Sequence, residues 1–257
     1  MILDTVKVPW LPQTQIENEA HDLLNQWEKF SGQEIIPPIP VEAIVEKYLG
    51  LTLEYDKLED ILGIPDVLGA TWVEKKRMVI NSSLLEGQEG RLTFTCGHEV
   101  GHWFLHRKYI SDQAAYSHDP NSGNNPSIVC RVSAAKTRGE WQADCFSACL
   151  IMPSLAVRGA FHKVFGEDPL VIYNRHSCFG RNNPLALDPS LDTAHQIAKY
   201  IIDAGRFLNV SKEAMAYRLE GLGLLVNETG LSLSSSFQAQ KSFFKNSRER
   251  KLKSNNA

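Results

Sequence analysis

Apolar residues recur at helical spacing early in the chain. In "IENEAHDLLNQWEKF", residues 16–30, Ile16, Ala20, Leu23, Leu24 and Trp27 share one face. The proline-rich "IIPPIP" ends that pattern, and "VEAIVEKYLG" predicts a short helix closed by Gly50. The period then drops to two. "LTLEY" and "LGATWVE" predict strands, and "RMVINSS" follows the second across the charged turn "EKKR" to make a hairpin. From about Glu89 the pattern is helical again and runs through Arg107. Residues 108–137 are polar and rich in Asn, Ser, Pro and Gly, which predicts a long surface excursion with one short strand near "SIVCRV". "GEWQADCFSACLIMP" predicts a helix stopped before Pro153, and "SLAVRGAFHKVF" a second one. An irregular connection over 168–190 leads to helices at 190–206 and 211–222, and no internal repeat is present. Helices segregated around a few strands predict an α+β fold.

Composition narrows the class. A hydrophobic fraction of 43% with 22% charged residues is that of a globular chain with a real core. The net charge of −3 points to no nucleic-acid or membrane partner. It is unevenly spread, because residues 238–257 carry six Lys/Arg against one Glu. That segment reads as a disordered basic tail, the one place where contact with nucleic acid is conceivable. No signal-peptide core and no membrane-length apolar run are present, and five cysteines without a CxxC pair argue against a disulfide framework. The expected compartment is the cytoplasm.

The chemistry concentrates in "FTCGHEVGHWFLH", residues 94–106. On a helix His98 and His102 lie about 40° apart and one turn of about 6 Å along the axis, so both imidazoles can reach one ion. Glu99 is offset by about 100° and can hold a water beside that ion. Two neutral nitrogen ligands and a carboxylate base are the content of HExxH. The bland alternative is a helix that merely carries histidines. Its surroundings (Leu92, Phe94, Val100, Trp103, Phe104, Leu105) are apolar, however, and burying two histidines and a glutamate without a partner is costly. His106 lies about 12 Å along the axis from His98 and cannot share that ion on a straight helix. It is expected to support the centre through a hydrogen bond. The metzincin continuation is absent, since Leu105 and Lys108 stand where its glycine and third histidine would fall.

A catalytic zinc site needs a third protein ligand. Glu140, Asp144, His118, His162, His176 and His195 are the downstream candidates. Glu140 and Asp144 are spaced i, i+4 on the helix "GEWQADCFSACLIMP", beside the small residues Ala143, Ser147 and Ala148. Such a face lets two helices approach closely. It can present Glu140 to the metal and leave Asp144 to accept an imidazole N–H.

"RLTFTCGHEVGHWFLH" followed by "EWQADCFSACLIMP" resembles the ImmA/IrrE family of zinc metallopeptidases, in which an HE-x-G-H-x-x-x-H helix precedes an E-x-x-A-[ND]-x-F-A-x-x-L-x-M-P helix. The resemblance spans roughly residues 35–225, including "VSKEAMAYRLEGLGL", and Ser147 stands where the family more often has Ala. It implies an α+β zincin-like domain with an active-site helix pair and a small antiparallel sheet. Residues 1–34 would be a helical extension, 35–225 the peptidase domain with 108–137 as a surface insert, and 226–257 the basic tail. By position it makes His98, His102 and Glu140 ligands of one Zn²⁺ or another divalent ion per chain. Glu99 becomes the general base, with Asp144 and His106 as supporting residues. It further implies a narrow endopeptidase that cuts a helix-turn-helix repressor. A metal-binding regulatory module that binds a repressor or DNA without cutting is the competing reading, and a non-peptidase zinc hydrolase a third. Intact Glu99 favours the enzymes. His195 and the tyrosines are candidates for an oxyanion donor, with nothing in the sequence to choose among them.

Overall fold

The computed structural model describes residues 8–117, 125–131, 137–172 and 191–228. The basic tail and most of the 168–190 connection lie outside these residues. The chain divides into two compact units, Met1–Ala156 with Gly205–Ser211, and Val157–Ala204 with Lys212–Ala257. Nothing in the sequence pattern marks that division.

The first unit begins with α1, Gln13–Ser31, whose buried face is the predicted stripe Ile16, Ala20, Leu23, Leu24 and Trp27. Gly32 ends the helix at φ 69°, and its N–H closes on the Glu28 carbonyl at 2.8 Å, a left-handed cap that favours glycine. α1 packs on α5, Arg138–Ile151. After α2, Val41–Ala43, which runs on into a π-helical stretch Ile44–Tyr48, come β1 (Thr52–Asp56), α3 (Leu58–Leu62), β2 (Val67–Trp72) and β3 (Arg77–Asn81). The long helix α4, Glu89–Ser117, and the strand β4, Ile128–Arg131, precede α5.

The four strands form one sheet in the order β1-β3-β2-β4. The predicted β2–β3 hairpin is present and antiparallel, as is β2–β4, but β1 runs parallel to β3. The sheet is therefore mixed and not antiparallel as expected. The chain passes from β1 through α3 to β2, and β3 returns between those two strands, so β1 lies beside β3 and runs in the same direction. A register irregularity between Val67 and Gly69 shifts the alternation of β2. On one face Val67, Ala70, Trp72, Val79 and Val129 make a buried cluster with Leu58 of α3. The opposite face, which includes Gly69 and Thr71, meets α4. Both faces are covered, which explains why β2 reads as a nearly continuous apolar run.

Helices α4 and α5 meet through small residues on both sides. A Cβ at Gly97 would stand 2.5 Å from Ser147 Oγ, and one at Gly101 would stand 3.1 Å from the Cα of Ala143. Ser147, the departure from the family pattern, donates its hydroxyl to the Phe94 carbonyl at 2.8 Å and so ties the two helices together. Within 108–137, the described residues include regular structure beyond the one short strand expected. α4 continues to Ser117, and the short strand expected near "SIVCRV" is β4, buried at Ile128, Val129 and Cys130.

The second unit holds most of α6 (Ser154–Phe165), β5 (Leu170–Ile172), most of α7 (Leu191–Gly205), α8 (Lys212–Gly221) and β6 (Leu225–Asn227). β5 and β6 pair in parallel, a second sheet that the sequence pattern did not predict. Phe161, Ile201, Met215 and Leu219 are fully buried in it, and Arg158 Nη2 donates to the Leu222 carbonyl at 3.0 Å. Among the described residues, no single helix is long and apolar enough to cross a membrane.

Candidate metal centre

α4 carries His98, Glu99, His102 and His106 at helical spacing, and all four are buried. The close approach permitted by Gly97 and Gly101 brings Glu140 of α5 against the first two histidines. Nε2 of His98 and Nε2 of His102 are 2.9 Å apart. Each is 3.3 Å from a different Glu140 oxygen, Oε2 for His98 and Oε1 for His102. A tetrahedral centre with bonds of about 2.05 Å places its nitrogen and oxygen donors about 3.3 Å from one another. The three residues therefore form a cluster that can hold a metal ion.

The hydrogen bonds behind the cluster determine which ring nitrogens face it. Gln142 Nε2 donates to the Pro9 carbonyl at 2.8 Å, which turns its Oε1 toward His106 Nε2 at 2.7 Å. An amide oxygen only accepts, so His106 carries its proton on Nε2 and leaves Nδ1 as a lone pair. His102 Nδ1, 2.9 Å from that lone pair, must then be the donor, and His102 Nε2 is left bare. On the other side His98 Nδ1 donates to Asp144 Oδ1 at 2.9 Å, which leaves Nε2 as the lone pair. Two imidazole lone pairs and a carboxylate thus converge. They repel one another unless a cation, proton or metal, lies between them. This donor set fits a divalent ion.

The electrostatics agree. Burial opposes charge on His98, yet Cys130, Asp144 and Glu140 around it hold its pKa well above the usual imidazole value. Burial in turn pushes the Cys130 thiol up, an effect that His98 beside it partly offsets. Burial likewise favours neutral Glu140, but His102 and His98 hold its carboxyl well below the ordinary range. Burial, with His102 beside it, lowers His106 from 6.5 to about 3 against the opposing pull of Gln142 and Glu140, so it stays neutral as the relay requires.

Glu99 is fully buried beside these ligands. Thr71 of β2 donates its hydroxyl to Glu99 Oε2 at 2.6 Å. Oε1 is buried with no hydrogen-bond partner among the described residues and lies against Gly69, where a Cβ would stand only 2.8 Å away. Burial raises the pKa of Glu99, an effect that His102, His98 and Thr71 only partly offset. The carboxylate is thus anchored by one oxygen and made more basic, with the other oxygen open for a proton.

Sequence reasoning brought together His98, Glu99, His102, Glu140, Asp144 and His106, and the structure places these six close together, with His106 hydrogen-bonded to His102. It missed Thr71, Gly69, Gln142 and Cys130. A glycine inside a strand pattern is a known sign of close approach, so Gly69 was findable. The others reach the centre through pairing and packing that no local pattern encodes. Of the remaining ligand candidates, His118 and His176 lie outside the described residues. His162 and His195 belong to the second unit, where His195 Nε2 is buried without a hydrogen-bond partner among the described residues. No protein-family model matches the chain, and no curated protein matches it.

Proposed function

We propose that this chain is a zinc-dependent endopeptidase of the ImmA/IrrE type, acting in the cytoplasm on a helix-turn-helix repressor. The observation that carries the reading is the juxtaposition of a three-donor cluster with a buried, singly anchored carboxylate. A pure binding module has no use for Glu99 held by Thr71 with its second oxygen left open.

His98 and His102 would hold a divalent ion through Nε2 and Glu140 through its carboxylate, while Asp144 and the His106–Gln142 relay keep both rings oriented. When bound, a divalent cation supplies Lewis acidity, making water acidic and polarising a carbonyl. Glu99 takes the proton of the attacking water on Oε1 and passes it to the leaving amine nitrogen. Thr71 keeps the carboxylate from swinging toward the ligands. β4 is the last strand of its sheet, and its outer edge is unpaired among the described residues. It offers backbone donors and acceptors to an extended peptide. That requirement favours a linker or helix end of the substrate, where the chain can open out. The two-helix sequence resemblance supports the repressor as substrate, and the ordinary donor preferences of zinc support the metal.

The test is to incubate the purified protein with the repressor encoded beside it, with and without chelator, next to Glu99→Gln. Discrete fragments that require both metal and Glu99 are expected. Tight binding without cleavage would replace the peptidase with the regulatory module.

A further inference from the structure

We infer that Cys130, His98 and Glu99 form a second metal position that overlaps the first and takes a thiophilic divalent cation, leaving the centre inactive. The inference rests on the proposed peptidase reading for its consequence, though not for the binding itself.

Cys130 lies on β4 and pairs with Gly69 across the β2–β4 ladder. Paired residues point to the same side of a sheet, and Gly69 is the residue against which Glu99 Oε1 lies. The thiol is therefore delivered to the side of the sheet on which Glu99 lies. The Cys130 sulfur, a carboxylate oxygen of Glu99 and a ring nitrogen of His98 all lie within 4.8 Å of one another. Glu99 Oε1 is buried and lacks a hydrogen-bond partner among the described residues.

The two positions cannot be filled independently. His98 Nδ1 is committed to Asp144, so only Nε2 is free, and it belongs to both donor sets. His102 and Glu140 complete one set, Glu99 and Cys130 the other. The first set holds nitrogen and carboxylate donors, suited to zinc, while the second adds a soft sulfur. A thiophilic ion is drawn toward Cys130. On binding, the thiol S–H proton leaves to buffer, a sulfur–metal bond forms, and Glu99 donates its carboxylate oxygen. The base is then a ligand and can no longer accept a proton from water, and His98 is withdrawn from the first position.

Cadmium is the probe. Titrating metal-free protein with Cd²⁺ should produce the near-ultraviolet absorption of a cadmium–thiolate bond. The absorption should disappear in Cys130→Ser and persist in Cys96→Ser, whose cysteine is buried elsewhere on α4. It should also persist in Glu140→Ala, because the second position does not use Glu140. Cd²⁺ should inhibit the zinc-loaded protein at concentrations at least about 10-fold lower than it inhibits Cys130→Ser. An absorption lost in Glu140→Ala would overturn the inference, making Cys130 a fourth ligand of the first position. Absorption unchanged in Cys130→Ser would overturn it as well. A cadmium–thiolate signal with the expected variant pattern, in a protein that cleaves nothing, would keep the second position and sink the peptidase reading alone.

Discussion

At the scale of single residues, the account depends on what surrounds Glu99 and His102. Gly69→Ala would place a methyl group 2.8 Å from Glu99 Oε1. It should leave metal content unchanged while lowering cleavage at least about 10-fold, because the base is displaced and the ligands are not. Glu99→Gln should likewise keep metal and fold and lose about 10²–10⁴-fold in turnover, read from initial rates. His106 gives a pH signature. Its pKa is about 3 in the folded chain against an ordinary 6.5. Between these values the unfolded chain binds the extra proton, so stability is complete above about pH 6.5 and is lost as pH falls toward 3. A shift of this size is worth about 3 kcal/mol at pH 4. Melting temperatures of wild type and His106→Asn should therefore converge as pH is lowered from 7 to 4. Parallel curves would show that His106 is not held neutral by burial. His98, Glu99, His102 and His106 were legible from helical spacing, while Glu140 and Asp144 were singled out by the small-residue face of their helix and by the family resemblance. Thr71 and Cys130 were not, because strand register decides which side they face, and a register irregularity at Val67–Gly69 sets the phase of β2.

At the scale of elements, the centre exists because α4 and α5 come close enough for Glu140 to reach two histidines. Gly97 and Gly101 are the condition for that approach. Gly101→Val should force the helices apart at Ala143 and Phe146. Overpacking of this kind typically costs 1–3 kcal/mol, and here it should also weaken zinc binding by about 10-fold or more. A chemical-denaturation midpoint with a zinc competition assay reads both. A loss of stability with full zinc affinity would mean that the helix spacing is not what positions Glu140. Both helices were legible from period and from their stop signals, and so was the β2–β3 hairpin. The parallel β1–β3 pairing was not, since β3 inserts between β1 and β2 and that strand order is set by tertiary packing, which no local pattern encodes. The polar stretch after Arg107 misled for a related reason. Its composition is that of a loop, while its ends are held by the continuation of α4 and by the burial of β4 against β2.

At the scale of the molecule, every residue of the candidate centre belongs to the first compact unit. The basic segment 238–257 carries no patterned apolar face. Its deletion should leave cleavage and melting temperature nearly unchanged, and any retention on DNA that the full chain shows should weaken with salt and vanish with the segment. The two-unit division was not legible, because the first unit is completed by Gly205–Ser211, far along the chain, and distant closure leaves no mark in a local pattern. The centre itself was legible, and it is the centre that the whole functional reading stands on. The most direct measurement is zinc per chain by elemental analysis of purified wild type, Glu99→Gln, His98→Ala and Glu140→Ala. One equivalent in the first two, and loss in both ligand variants, is the predicted result. Full zinc in His98→Ala and Glu140→Ala would contradict it and place the metal elsewhere.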